Sequence, residues 1–145
     1  MTPIDNRKTF ETRILKQWDR VLKYAENKFI PDDYTVTKFN RWVNNNFEYQ
    51  AEQEDAWLTP EEFRFGGGGD CEDFAIFKYF GLPYPKYLSV GNVKDVGIHC
   101  VLLVYAQEFG DWVVLDNRNN DTVKWEDYLQ VFQPFYFLDH KGWYF

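Results

Sequence analysis

The stretch Gly66-Gly67-Gly68-Gly69-Asp70-Cys71-Glu72-Asp73-Phe74-Ala75-Ile76-Phe77-Lys78-Tyr79-Phe80 decides how this chain is read. Four glycines supply a backbone that can take positive φ and approach a ligand closely, and the apolar residues after them recur at helical spacing. A tight loop feeding a helix is predicted. Asp70 falls at the N-cap, and Asp73 three residues on suits the positive end of the helix. Cys71 is then the first helical residue, where unpaired backbone N–H groups and the helix dipole favour the thiolate, the form that attacks a carbonyl carbon. Against this stand two plainer readings: burial as a small inert hydrophobe, and a disulfide with Cys100, the second of 2 cysteines.

Working upstream, Thr59-Pro60-Glu61-Glu62 combines an N-cap, a proline at the first helical position and a glutamate three residues after the cap, so a short helix leads into the glycine loop. Trp57, just ahead of it, either packs on the core or turns its indole N–H into the Cys71 cleft as an oxyanion donor. Gln50 to Asp55 reads as a polar surface loop. Val36, Phe39, Trp42, Val43 and Phe47 mark a helix capped by Thr35 or Asp33 and ended by Asn44-Asn45-Asn46, whose amides form a turn or face a site. Phe10, Ile14, Trp18, Val21, Leu22, Ala25 and Phe29 make residues 7–29 an amphipathic helix, broken by Pro31-Asp32-Asp33.

Downstream of Gly81-Leu82-Pro83-Tyr84-Pro85, the period changes. Leu88 to Val93, Ile98 to Tyr105, Trp112 to Leu115 and Phe132 to Leu138 are β-branched or aromatic runs parted by Gly, Asn and Asp, which predicts three or four antiparallel strands. Residues 107–111 form a hairpin connection, 117–121 a turn, and 125–129 a helical turn. Helices first and an antiparallel sheet second give an α+β class, and 145 residues fit one domain spanning 1–145. The composition, 45% apolar and 21% aromatic, is that of a folded chain. A net charge of −7 without a basic stripe excludes nucleic acid and disfavours an anionic membrane surface. No run approaches the length of a membrane span, and Met1-Thr2-Pro3-Ile4-Asp5 does not open a signal peptide, so a cytosolic protein or a mature form without its leader is expected.

The chain holds 2 histidines. His140 lies in a terminal turn, whereas His99 interrupts the apolar strand Ile98-His99-Cys100-Val101-Leu102-Leu103-Val104-Tyr105. Trp112-Val113-Val114-Leu115 ends on Asp116, which is either a turn former or a functional carboxylate. If the two strands pair through a loop around Gly110, residues whose numbers sum to 215–217 lie opposite, and His99 faces Asp116 or its neighbour. A carboxylate holding one ring nitrogen leaves the other free to take a proton, as a general base requires. Strand alternation turns Cys100 away from the His99 face, so Cys71 meets one or the other.

Gly-Asp-Cys-Glu-Asp-Phe-Ala-Ile at 69–76, the His99 strand, Leu-Asp-Asn at 115–117, Trp57 with Thr59-Pro60-Glu61, and Pro134-Phe135-Tyr136-Phe137 with Trp143 together resemble the bacterial transglutaminase-like cysteine proteinases, the LapG-type adhesin proteases among them. The resemblance covers most of residues 36–143. It implies a papain-like or transglutaminase-like fold and a triad of Cys71, His99 and Asp116. It further implies calcium dependence and a periplasmic location, with cleavage of a large surface adhesin at a small-residue site that controls biofilm attachment. The implied regulator is a cyclic-di-GMP-responsive membrane receptor.

Asp70, Glu72 and Asp73 place up to three negative charges beside a nucleophile that works as an anion, and like charges at this range disfavour a thiolate. A calcium ion on these oxygens removes the conflict; capping by Asp70 and Asp73 with a solvated Glu72 is the plainer alternative. The same triad also serves a transglutaminase or amidase, and the same scaffold without a reactive thiol would be a binding module.

Overall fold

The computed structural model describes residues 4–24, 35–51, 56–83 and 85–145, with side chains in the first helix described from Arg13 onward. Helix α1 is Ile4–Tyr24 and α2 is Val36–Asn46, with Thr35 Oγ1 accepting the Lys38 N–H as its cap. Ala25, Phe29, Pro31-Asp32-Asp33 and most of the 50–55 loop fall outside the described residues. Strand β1 is the dipeptide Glu48–Tyr49. Helix α3, Pro60–Gly66, carries the predicted capping box: the Glu62 N–H donates to Thr59 Oγ1 at 3.2 Å and the Thr59 N–H to Glu62 Oε1 at 2.9 Å.

The glycine loop is more ordered than its composition predicts. Gly68–Gly69, as β2, pairs in parallel with β1, so these glycines sit against backbone. A Cβ on Gly68 would stand 1.8 Å from the Glu48 carbonyl oxygen, and one on Gly69 2.6 Å from Asp73 Cβ. Helix α4, Cys71–Gly81, follows directly, and its residues 73–79 are all buried. Being apolar nearly all round, it suits a fully enclosed position. Burial of Phe74, Ile76 and Phe77 contributes about 1.5–3 kcal/mol each relative to exposure. Lys86 closes the far end, its ammonium donating to the carbonyls of Tyr79 and Leu82 among the unpaired last carbonyls of the helix.

Among the described residues the main sheet has six strands where the sequence predicts three or four: β3 Lys86–Val93, β4 Gly97–Ala106, β5 Asp111–Asp116, β6 Asn119–Lys124, β7 Phe132–Asp139 and β8 Gly142–Tyr144. They lie in the order β6-β5-β4-β3-β7-β8, every neighbouring pair antiparallel. A short helix α5, Trp125–Tyr128, links β6 to β7. Residues 119–121, expected in a turn, begin β6. Its Asn-Asn-Asp-Thr-Val-Lys run lacks a strand's apolar signature because it is an edge, held by backbone pairing with β5.

One face of the sheet carries Leu88, Val90, Cys100, Leu102, Val104, Val113, Leu115 and Leu138 onto α4 and the other helices. The opposite face holds a smaller cluster of Val93, Val101, Leu103, Val114, Tyr128 and Phe132. The Trp18 indole N–H donates to the Asp139 carbonyl at 2.8 Å, fastening α1 to the end of β7. This is a mixed helix and antiparallel-sheet architecture with the predicted cysteine at the start of its most enclosed helix. Among the described residues, no helix is long and apolar enough to cross a membrane.

Candidate active site

Cys71 stands at the first position of α4, half-buried and free, as is the buried Cys100, so the disulfide alternative is not realised. Its thiol donates to Glu72 Oε2 at 3.3 Å. Burial pushes this thiol up and the Glu72 charge pushes further, while contact with the Cys100 backbone acts the other way. The carboxylates around it are equally uncomfortable. Asp70 is raised to about 7, by burial first and then by Asp73 beside it, and Glu72 to about 7, by burial and then by the Asp70 charge. Asp70 Oδ1 is buried with no hydrogen-bond partner. Asp73 is wholly committed: Oδ1 accepts the Leu58 N–H at 2.8 Å and Oδ2 the Asp70 N–H at 3.1 Å. Among the described residues, no group of three or more His, Cys, Asp or Glu side chains converges as a ready metal site.

His99 and Asp116 meet. Nε2 of the imidazole lies 2.7 Å from Asp116 Oδ1, with the two side chains 6% and 5% exposed, so solvent does little to weaken the pair. The β4–β5 register sums to 217 and the ladder stops at Leu102 opposite Leu115, leaving residues 97–101 of β4 unpaired with β5, so His99 reaches Asp116 from beyond the ladder and not from directly opposite as expected. Helix α4 packs on β4, and the Cys71 thiol sits against the core face that Cys100 lines, beside the backbone of Cys100, the residue after His99.

Asp116 is also a turn former, its Oδ1 accepting the Arg118 N–H at 3.0 Å, so both readings of it hold at once. Its Oδ2 accepts from the Tyr128 hydroxyl at 2.9 Å and from Arg118 Nη2 at 2.9 Å. Burial opposes ionisation, but hydrogen bonds from His99 and Arg118 prevail and hold this carboxyl well below the usual range. Asn44, from the α2 triplet, donates to the Asp116 carbonyl at 3.0 Å and accepts from Lys78 Nζ at 2.8 Å. Lys78 is fully buried on α4, and burial lowers it to about 7. Sequence reasoning missed Arg118, Tyr128 and Lys78; the one available signal was Arg118, two residues beyond Asp116 where a turn donor is expected. Trp57 is 4% exposed and stands edge-on to Trp18 in the core, the first of its two expected settings.

A cysteine at a helix N-terminus, a buried histidine–aspartate pair on the strands that helix packs against and this arrangement of helices on an antiparallel sheet together mark the class of thiol hydrolases built on a transglutaminase-like fold. The sequence model of the bacterial transglutaminase-like cysteine proteinases (BTLCP) matches residues 19–133, and the chain belongs to that family of cysteine proteases. Among solved structures it is similar to calcium-bound LapG of Legionella pneumophila, at 25% identity over 92% of this chain and 78% of that one, with a TM-score of 0.67. EGTA-treated LapG of the same organism matches at 27% identity over 99% of this chain and 78% of that one, again with a TM-score of 0.67. No curated protein matches the chain.

Proposed function

We propose that Cys71, His99 and Asp116 are the nucleophile, base and orienting carboxylate of a calcium-dependent endopeptidase. Its substrate would be a large surface adhesin, cut at a small-residue site in the periplasm so that attachment is lost, under a cyclic-di-GMP-responsive receptor. The observation that carries the catalytic part is the buried 2.7 Å His99–Asp116 pair at the strand end that the Cys71 helix abuts.

With Nε2 engaged by Asp116, Nδ1 of His99 takes the thiol proton as sulfur bonds to the scissile carbonyl carbon. The resulting oxyanion faces the Cys71 backbone N–H, one of the unpaired donors of the α4 N-terminus. Collapse breaks the C–N bond, the imidazole returns its proton to the departing amine, and water then hydrolyses the thioester, freeing a carboxylate and restoring the thiol.

Asp70 and Glu72 fit a hard cation: two strained carboxylates, one with a buried oxygen lacking any partner. They would hold calcium together with backbone or water oxygens, while Asp73, expected as a third ligand, orients Asp70 from its two backbone hydrogen bonds. Bound calcium would supply positive charge that offsets the carboxylates opposing a thiolate. LapG, known in calcium-bound and EGTA-treated forms, supports this reading.

The test incubates the protein with adhesin N-terminal fragments, with calcium or a chelator, and maps new ends by mass. Calcium-dependent new N-termini are expected, with Cys71→Ala and His99→Ala reducing cleavage by about 10³-fold or more. Undiminished cleavage by Cys71→Ala, or crosslinks in place of new ends, overturns the proposal.

A further inference from the structure

Asp116 receives more partners than a turn or a single hydrogen bond requires. Titratable groups reach it from four elements: His99 from β4 on Oδ1, Arg118 from the β5–β6 turn on both oxygens, Tyr128 from α5 on Oδ2, and the Lys78 charge from α4. Asn44 of α2, which is neutral, holds its backbone carbonyl. Tyr128 and Arg118 Nη2 occupy Oδ2, each at 2.9 Å, while Oδ1 meets the imidazole and accepts the Arg118 backbone N–H. The phenol is pushed up by burial and by the Asp116 charge, so it remains a donor across the working pH range.

We propose that Arg118 and Tyr128 are positioning residues for the triad: they fix the rotation of the Asp116 carboxylate, and the Arg118 guanidinium draws off part of its charge, setting how tightly His99 holds a proton. This rests on the reading of His99 and Asp116 as the catalytic pair. A lone buried carboxylate beside His99 would stabilise the imidazolium strongly, making the base reluctant to return its proton to the leaving amine. A guanidinium on the far oxygen tempers that hold. Arg118, with its side chain 37% exposed, is placed to do this while still anchored by its own backbone N–H on Oδ1.

The test follows the His99 ring protons by NMR titration in the Cys71→Ser protein, at fixed saturating calcium, with the exposed His140 as internal reference. Removing the charge by Arg118→Met should raise the His99 midpoint by about half a pH unit or more, and Arg118→Lys should bring most of it back. In the enzyme with its thiol intact, Tyr128→Phe should lower kcat about tenfold and leave KM unchanged. An Arg118→Met protein that titrates at the parent midpoint, or an Arg118→Lys protein indistinguishable from it, overturns the charge role; an unaltered kcat in Tyr128→Phe overturns the positioning role. Cleavage surviving Cys71→Ala would instead defeat the triad reading while leaving the titration result standing, so the two failures are distinct.

Discussion

Asp116 shows how one side chain can satisfy two readings at once. It forms the turn that any aspartate after a strand is expected to form, and it also holds the imidazole. Burial works to raise its pKa, yet the hydrogen bonds from His99 and Arg118 keep it well below that of an unfolded carboxyl, so the ionised form stabilises the fold. That contribution is complete above the unfolded value of about 4 and is lost as pH falls below it. Asp116→Asn should therefore melt well below the wild type at pH 6, with the gap starting to narrow below about pH 4 and closing only as pH falls through the lowered native value, and should lose about 10³-fold or more in activity because the amide favours the wrong imidazole tautomer. Thermal melts at descending pH and a neutral-pH rate check both, and a gap that does not narrow at all between about pH 4 and pH 2 counts against the assignment. At this scale the His99–Asp116 pairing was legible because histidine is scarce in the chain and Asp116 ends the partner strand. Tyr128 and Lys78 were not, because their spacing from Asp116 shows nothing until α5 and α4 fold against the sheet.

Among the elements, the glycine loop and α4 act as one unit. Gly68 has φ 153° and lies against the Glu48 backbone, so neither its conformation nor its space admits a side chain. Gly68→Ala should part β1 from β2 and cost about 1–3 kcal/mol or more by chemical denaturation, with Asp70 and Cys71 displaced as a consequence. Unchanged stability in that variant would mean the loop is not held as described. The capping box of α3, the N-cap of α4 and the antiparallel β4–β5 pairing were readable because local rules determine them. The β1–β2 pairing was not, since it joins distant segments through backbone bonds, and neither was the polar strand β6, which is held to the adjacent β5 by backbone bonds that side-chain pattern does not encode.

For the whole molecule, the region around Cys71 carries an electrostatic conflict that folding creates. Asp70 and Glu72 both sit at about 7, above their unfolded values, so the stability they allow is complete below about pH 4 and is lost as pH rises through 7. A cation bound there relieves the cost only where they are ionised. The rise in melting temperature produced by calcium should accordingly be small at pH 5 and grow toward pH 8, as calorimetry with and without a chelator can measure. A calcium shift of equal size at both pH values, or none, would place the ion elsewhere. The amino-acid order by itself determined the helix-then-sheet division, the placement of a thiol at a helix start and the pairing of a histidine strand with an aspartate strand, because periodicity, capping and hairpin register are short-range. Tertiary structure alone decided which carboxylates stay strained, which oxygen of Asp116 faces the imidazole and which buried cation stands behind it. Desolvation and hydrogen-bond partnership arise only when segments far apart in the chain exclude water together.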